Sequence, residues 1–582
     1  MTAGTGTSTA GEPGASTERT VENVVPVARS APASTSGPAS TSGPTTSGPT
    51  TSGTATSSPA TPGPGTTGRA GARPATGRHR APQGSPLPVP VGPAGGRHRA
   101  APPTGGAATG SARPAGAGLF GRSLLYTVVA AAQLVTGALV APVLAHVLDD
   151  PAQVGLLAAA IALHQLLVVL ALVGLDQAVV LQRAEDGHDR DVRALAGGAV
   201  VVVTAVTALL WGTAGWWAPL FGFPAGTLTG AGIVPTTVWW TVPAAGVMVT
   251  LGLLLAADRL RAYTVVSVLA AFGGQLAGLG AVLLLGGGAG TYAWGLLGAD
   301  LLAALVGWRL TRPSWRRALS PRLMRPALVF GAPLMLSSLS VFVLNAGDRV
   351  VVQRLAGPAE LGRYQVAYTV GFLAVQLIVV AGNSWLPRFA AVRDDAERRA
   401  LVGTTRDSVY ALLTPVLLGV ALAAPVVLVV AAPASFRPRD LLLVVVLVAV
   451  SAYPVAASTA SGRVLVTERR TRALAVSTAL AAVLNVVLNL LLVPLAGIAG
   501  AAAATAVAYS AQALAQRWAV RSRPGPWPAT PPRVLLEGGA VTAAVLALAA
   551  LPATALLDGA RFALALACLP WCLQRLRRAR AL

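Results

Sequence analysis

Lysine is missing from all 582 residues, and Asp and Glu together number only 22. Charged residues make up 11% of the chain, against about 25% in a soluble domain. Most of this polymer is therefore built for a medium other than water. Cysteine occurs twice, at Cys568 and Cys572, four residues apart in one apolar run. A single helix cannot join such a pair as an ordinary disulfide, and no histidine stands nearby, so two plain thiols are expected there. No glycine-rich loop leads into Lys-Ser or Lys-Thr, which excludes an ATPase motor of that kind. No His-rich or Cys-rich metal spacing occurs, so neither a metal nor a cofactor is expected. No charged segment followed by a short apolar core opens the chain, so no cleaved signal peptide is expected.

What the chain has is apolar length. Hydrophobic residues make up 54% of it, and the mean hydropathy is +0.63. A spanning helix needs roughly 20 apolar residues. The candidate spans are 119–146, 152–174, 194–216, 233–256, 264–286, 289–309, 326–352, 361–383, 407–432, 439–462, 473–494, 497–519, 534–552 and 556–573. The expected fold class is an all-α polytopic membrane protein with about fourteen transmembrane helices. Alanine and glycine are abundant in these runs, which permits close helix approach.

The loops fix an expected orientation. Arginine is enriched in every second connection: Arg183, Arg190 and Arg193; Arg259 and Arg261; six arginines from Arg309 to Arg325; Arg388 to Arg406; Arg463 to Arg472; Arg517 to Arg533; and the C-terminal Arg575 to Arg580. Cytoplasmic loops carry such an excess, so both termini are expected in the cytoplasm. The formal charge of +22 then reflects topology, and nucleic acid is not an expected partner. Arg354, Arg363, Arg437, Arg439 and Arg561 break the pattern. They are expected to be interfacial, paired, or turned toward a substrate path.

Residues 1–117 are different: Ser, Thr, Gly, Pro and Ala dominate, and Gly77-Arg78-His79-Arg80-Ala81 recurs as Gly96-Arg97-His98-Arg99-Ala100. Such a composition cannot bury enough surface to offset chain entropy. This segment is expected to be a disordered cytoplasmic tail, its Arg-His-Arg patches either meeting anionic lipid head groups or only reinforcing topology.

An internal duplication is also visible. Leu148-Asp149-Asp150-Pro151-Ala152-Gln153-Val154-Gly155 reads like Leu355-Ala356-Gly357-Pro358-Ala359-Glu360-Leu361-Gly362, and Ala289-Gly290 recurs as Ala496-Gly497 at the same offset. Six spans separate the copies. An even number preserves orientation, so the expectation is a parallel repeat around an axis along the membrane normal. The expected domains are an N-lobe at 118–310 (six helices), a basic linker at 311–325, a C-lobe at 326–519 (six more), and residues 520–582 with two further helices and a basic tail.

Polar side chains inside such spans are expensive and usually face a cavity or a partner. The seventh span carries Ser338, Asn345, Asp348 and Arg349 at spacings that share one helix face. They face either a cavity or the external head groups. At the offset of the duplication their counterparts are apolar, Asn345 falling on Ala138 and Asp348 on Ala141. Arg122, Tyr126 and Gln133 share a face of the first span. Asp300 is a lone carboxylate in the sixth span, read either as a proton or sodium site or as a buried hydrogen-bonding group. Asn485 and Asn489, one turn apart, read as helix–helix contacts, and His164 reads as structural. Pro333, Pro415, Pro425 and Pro454 each remove a helix hydrogen bond.

Several stretches resemble a known family. Ala141-Pro142-Val143-Leu144-Ala145-His146-Val147-Leu148 with Val154-Gly155-Leu156 resembles the end of the first span of bacterial polysaccharide flippases. So does Gly331-Ala332-Pro333 leading to Asp348-Arg349 and then Leu361-Gly362-Arg363-Tyr364, while Asn485-Val486-Val487-Leu488-Asn489 with Pro494, Gly497 and Gly500 resembles that family's eleventh and twelfth spans. The family lies within the multidrug/oligosaccharidyl-lipid/polysaccharide exporter superfamily. The resemblance implies a flippase, not an enzyme, that moves an undecaprenyl-diphosphate-linked oligosaccharide between leaflets by alternating access. Arg122, Gln133, Asn345 and Arg349 would then be substrate-binding candidates, with no catalytic residue. Asp300 and Asp348 would be ion-coupling candidates. The implied partners are the lipid-linked oligosaccharide, membrane lipids and polysaccharide biosynthesis enzymes. Small-molecule efflux within the superfamily is the alternative. A membrane-embedded glycosyltransferase or polymerase would need water-facing carboxylates or histidines and a sizeable external loop, which the sequence does not supply.

Overall fold

The computed structural model describes residues 136–580, apart from 138, 187–188, 224, 229–231, 523–526, 528 and 552–553. The tail expected at 1–117 lies outside the described residues, as do Arg122 and Gln133. No strand occurs among the described residues. In the absence of water, backbone donors and acceptors must be satisfied within the segment that carries them, and helices do this.

The helices in order are α1 (Leu139–Leu148), α2 (Pro151–Leu172), α3 (Leu175–Asp186), α4 (Asp189–Gly212), the single turn α5 (Ala214–Trp217), α6 (Ile233–Ala256), α7 (Leu260–Leu285) and α8 (Ala289–Thr311). They continue with α9 (Pro321–Leu355), α10 (Gly357–Ala391), α11 (Asp395–Ala431), α12 (Leu442–Val450), α13 (Ala452–Thr467), α14 (Thr471–Arg521), α15 (Pro532–Ala550) and α16 (Ala555–Arg580). Eleven helices among the described residues are long and apolar enough to cross a membrane. The chain is thus a multi-pass membrane protein. Large apolar side chains such as Leu209, Leu284 and Leu495 are exposed around the bundle, as a lipid-facing surface requires.

Helix starts follow local chemistry. Asp150 caps α2 by accepting the Ala152 amide at 2.8 Å, with Pro151 at the first position. Asp394 caps α11 through the Glu397 amide at 2.7 Å. Several helices run past the apolar stretches that mark them in the sequence. Arg388 lies inside α10, and Arg398, Arg399 and Arg406 lie inside α11, where the eighth connection was expected. Pairing permits this: Arg399 meets Glu468 at 2.6 Å, and Arg406 meets Asp407 at 2.8 Å. The 51-residue α14 is two arms, broken at Ala496 and Gly497, where Gly497 takes φ 57°. The arms pack so closely that a Cβ on Gly500 would lie 2.2 Å from the Leu492 carbonyl oxygen.

Among residues 139–311, α6 packs on α2, α4 and α8, and α7 packs on α8; among 321–521, α9 packs on α14, α10 on α12 and α13, and α13 on α14. α2 is the bridge, lying against both α9 and α10. Its crossing with α10 is reciprocal. A Cβ on Gly155 would sit 1.7 Å from the Pro358 carbonyl oxygen, and one on Gly362 would sit 2.0 Å from that of Pro151. The two copies of the duplicated Pro-x-x-x-Gly segment therefore touch each other, each glycine under the other's proline carbonyl. Farther along, Gly174 takes φ 73° and meets Gly331 of α9 backbone to backbone. The linker after α8 lies on the glycine pair of α4: Cβ atoms on Gly197 and Gly198 would meet the Ser314 and Ala318 carbonyl oxygens at 2.7 and 2.1 Å. The Ser314 amide also donates to the Arg193 carbonyl at 2.8 Å.

The crossing gives a direct test. Gly155→Ala and Gly362→Ala each force backbone apart and should destabilise the purified protein by about 1–3 kcal/mol, the usual cost of overpacking. Gly280→Ala, at a helical glycine with open space around it, should leave the unfolding midpoint in detergent unchanged or slightly raised. Equal midpoints for all three variants would show that the crossing is not tight.

Candidate functional site

Three helical segments build a polar centre in the second group of helices. On α9, Asn345, Asp348 and Arg349 fall on one side, as their spacing requires, and the structure brings all three into one network. Ser338, expected with them, is exposed and lies outside it. Asp348 is 1% exposed, so it points into protein and not into acyl chains.

The carboxylate is met from every side. The Tyr364 hydroxyl of α10 donates to Asp348 Oδ2 at 2.5 Å, and the Thr505 hydroxyl of α14 donates to the same oxygen at 3.4 Å. The Arg349 amide donates to Oδ1 at 2.8 Å, with its Nη1 at 3.3 Å. Arg349 is itself tied down. Its Nε donates to Gln365 Oε1 at 2.9 Å, its Nη1 to the Asn345 carbonyl at 2.9 Å, and its guanidinium lies 4.4 Å over the Tyr368 ring. A planar cation stacked on an aromatic face and forked onto oxygens is a geometry that arginine supports and lysine does not.

The two arms of α14 complete the centre. Tyr509 donates to Asn345 Oδ1 at 2.6 Å. Asn485 Nδ2 donates to Thr505 at 3.4 Å, and Asn489 Nδ2 donates to the Asn485 carbonyl at 2.8 Å and to its Oδ1 at 3.2 Å. Asn489 Oδ1 is buried and has no donor among the described residues. The Asn485–Asn489 pair therefore does join helices, and it also extends the Asp348 network. Asp348, Thr505 and the two asparagines thus form one hydrogen-bonded chain that links α9 to both arms of α14. No group of three His, Cys, Asp or Glu side chains converges among the described residues.

The first group of helices holds a smaller centre. Asp300 of α8 is 2% exposed and accepts the Trp240 Nε1–H of α6 at 2.8 Å. His164 of α2 is buried and stacks on the other face of that contact, 3.6 Å from the Trp240 ring centre and within 7° of parallel. Sequence reading singled out Asp300 and His164 separately. Their link is Trp240, which carried no polar signal of its own. Likewise Gln365, Tyr368 and Tyr509 were not anticipated. Only the i, i+4 spacing of Tyr364 with Tyr368, and of Thr505 with Tyr509, marks them in the sequence.

Four of the five arginines that break the loop pattern hold carboxylates. Arg363 bonds Glu360 at 2.7 Å and Asp440 at 3.3 Å, Arg437 approaches Glu360 at 3.7 Å, and Arg439 and Arg561 approach Asp558 at 3.8 and 3.5 Å. Arg363 precedes Tyr364 in α10 but turns to Glu360, Asp440 and the Phe436 carbonyl instead of Asp348.

With this geometry in hand, comparison with known proteins is informative. Residues 123–393 match the family described as polysaccharide biosynthesis protein. No curated protein matches the chain. The fold is similar to that of the lipid II flippase MurJ in an inward closed conformation, with TM-score 0.62 and 11% identity over 79% of this chain and 100% of that one. It is also similar to an inward-facing multidrug resistance MATE family transporter of the MOP superfamily, with TM-score 0.53 and 13% identity over 71% and 96%. The match over 123–393 agrees with the resemblance read from the sequence, and the likeness to solved structures shows the fold.

The centre predicts an asymmetric cost. Asp348→Leu strands Arg349 among its acceptors and should destabilise the protein by about 3–5 kcal/mol, as removal of one partner of a buried pair does. The double variant Asp348→Leu/Arg349→Met should recover part of that loss in the same denaturation assay. A double variant less stable than the sum of the single ones would contradict direct coupling between the two side chains.

Proposed function

We propose that this protein flips a lipid-linked oligosaccharide, carried on a polyprenyl diphosphate such as undecaprenyl diphosphate, across the bacterial plasma membrane for cell-surface polysaccharide assembly. The family match over 123–393 supports the cargo class, and the transporter fold supports translocation over chemistry. The single observation that carries the mechanism is the buried Asp348 centre, shared between α9, α10 and both arms of α14. A carboxylate so enclosed can change its partners only if its charge is met in each state.

On this reading the helices of 118–310 and 326–519 are two lobes of a parallel repeat, and the α2–α10 glycine crossing is where their like-oriented edges meet. Reciprocal contact, each segment touching the other through the same residues, is what a two-fold relation produces. The arginine-rich connections face the cytoplasm, and both termini with them. The lobes rock about the crossing to expose the path between them to one leaflet and then the other. A cation held by Asp348, Thr505 and the oxygens of Asn485 and Asn489 stabilises one arrangement and leaves in the other. It can shift the equilibrium only by as much as its affinities for the two arrangements differ. Asp300, beside Trp240 and His164, is the second coupling candidate. Asn345 and Arg349 are the cargo-binding candidates on α9, and Arg122 and Gln133 are the candidates the sequence offers on the first span.

Small-molecule efflux is the second reading, favoured by the likeness to the MATE family transporter. One assay separates the two. Protein reconstituted in vesicles should translocate a fluorescent polyprenyl-diphosphate oligosaccharide, with a rate that rises with an imposed sodium or proton gradient. Asp348→Asn should lower the gradient-driven rate at least tenfold, and Arg349→Ala should lower it alongside. Unchanged transport in both variants would remove the α9 centre from the mechanism. Transport of cationic dyes without transport of the glycolipid would favour efflux.

A further inference from the structure

A separate cavity of about 250 Å³ lies between α11, α13, the second arm of α14 and the start of α15. None of its lining residues belongs to the Asp348 centre. Its lining is largely apolar, and its polar groups come from Arg406 and Tyr410 of α11, Ser461 of α13, Ser510 and Arg517 of α14, and Trp527 of the connection to α15. Arg406 is buried, held by Asp407 at 2.8 Å, and stacked 5.4 Å over the Trp527 ring. That pair places a fixed, partly neutralised guanidinium at the wall. Arg517 has no carboxylate within ion-pair reach among the described residues. The indole Nε1–H of Trp527 is buried beside the cavity and finds no acceptor among the described residues. A buried donor without an acceptor costs free energy that an incoming oxygen would restore.

The surroundings narrow the ligand. Leu514 and Leu535 also border the cavity and are exposed on the outer surface of the bundle, so the opening adjoins lipid. Its donors and its cation ask for an anionic, oxygen-rich group. The volume falls just short of the roughly 300–1,000 Å³ of a pocket for drug-sized ligands. It suits a phosphate ester and excludes an oligosaccharide repeat. We propose that this cavity binds a phosphate group at the arginine-rich end of the second group of helices, apart from the cargo path. The source is either the head group of an anionic phospholipid lodged at the lipid boundary or free inorganic phosphate. Arg517 supplies the charge, and the hydroxyls and Trp527 supply the directional bonds.

The test uses the purified full-length chain in detergent and native mass spectrometry. The probes are phosphatidylglycerol, diacylglycerol with the same acyl chains, and inorganic phosphate. Phosphatidylglycerol should be retained about tenfold more tightly than diacylglycerol, the difference that one charge-assisted hydrogen bond makes. Arg517→Gln and Trp527→Phe, which keeps the ring under Arg406, should each remove most of that preference. Arg577→Gln, at an exposed arginine near the end of α16, should leave it intact. Retention of phosphate alone, lost in the same two variants, would assign the source as the free ion. The proposal is overturned if the two lipids are retained equally and phosphate is not bound. It is overturned as well if Arg577→Gln lowers retention as much as Arg517→Gln does. The comparison of lipids on the unaltered protein does not depend on any variant folding.

Discussion

A carboxylate that is 1% exposed inside a helical bundle must be met by donors, and Asp348 collects them from three helical segments. Water would otherwise supply those bonds, and here it is excluded. This one requirement sets how α9, α10 and α14 stand to each other. Tyr364 fixes the rotation of α10, Thr505 fixes the second arm of α14, and Arg349 locks the α9 side by bonding Gln365 and stacking on Tyr368. The first arm follows, because Asn485 reaches Thr505 across the fold at Ala496–Gly497. Apolar packing holds the remaining helices but carries little direction, since Ala, Val and Leu surfaces are nearly interchangeable. The polar centre supplies the register that those surfaces lack.

The architecture was legible in the sequence because lipid imposes a simple code. Apolar length marks each helix, and arginine marks alternate connections, so the helical multi-pass fold follows from composition and periodicity alone. Boundaries were less legible where arginines found carboxylates. Arg399 with Glu468 and Arg406 with Asp407 allow α11 to run well past its apolar stretch, and no local pattern announces a partner 69 residues away. The α9 side of the network was legible, because helical spacing alone places Asn345, Asp348 and Arg349 together. Its other side was not. Thr505 and Tyr509 look like ordinary polar residues in an alanine-rich helix until the arms of α14 fold back on each other. Trp240 shows the same limit, for an indole N–H becomes a meaningful donor only beside Asp300.

The crossing of α2 and α10 shows a different relation between sequence and structure. The duplicated Pro-x-x-x-Gly segments look unremarkable singly, because the motif is short and common. Their equal offset gives them meaning, and their contact explains the residues. Only glycine lets each backbone pass under the other's proline carbonyl. Gln153 and Glu360 occupy equivalent places in the two copies yet have diverged. Gln153 bonds the Ala289 amide at the start of α8, whereas Glu360 pairs with Arg363 and Arg437. The two like segments make the same crossing but different bonds around it.

That divergence bears on direction. Two identical lobes around one axis would give a cycle with no chemical preference between its arrangements. The positions equivalent to Asp348 and Arg349 are Ala141 and Pro142, while the first group of helices carries Asp300, Trp240 and His164 with no counterpart at Val507. On the proposed repeat, each lobe would therefore hold one buried carboxylate with partners of a different kind. On the proposed coupling, a cation or proton gradient would act on the two centres unequally, since each would bind its ion only in the arrangement that exposes it. Mechanical symmetry would then make the motion possible, and chemical asymmetry would make it run one way.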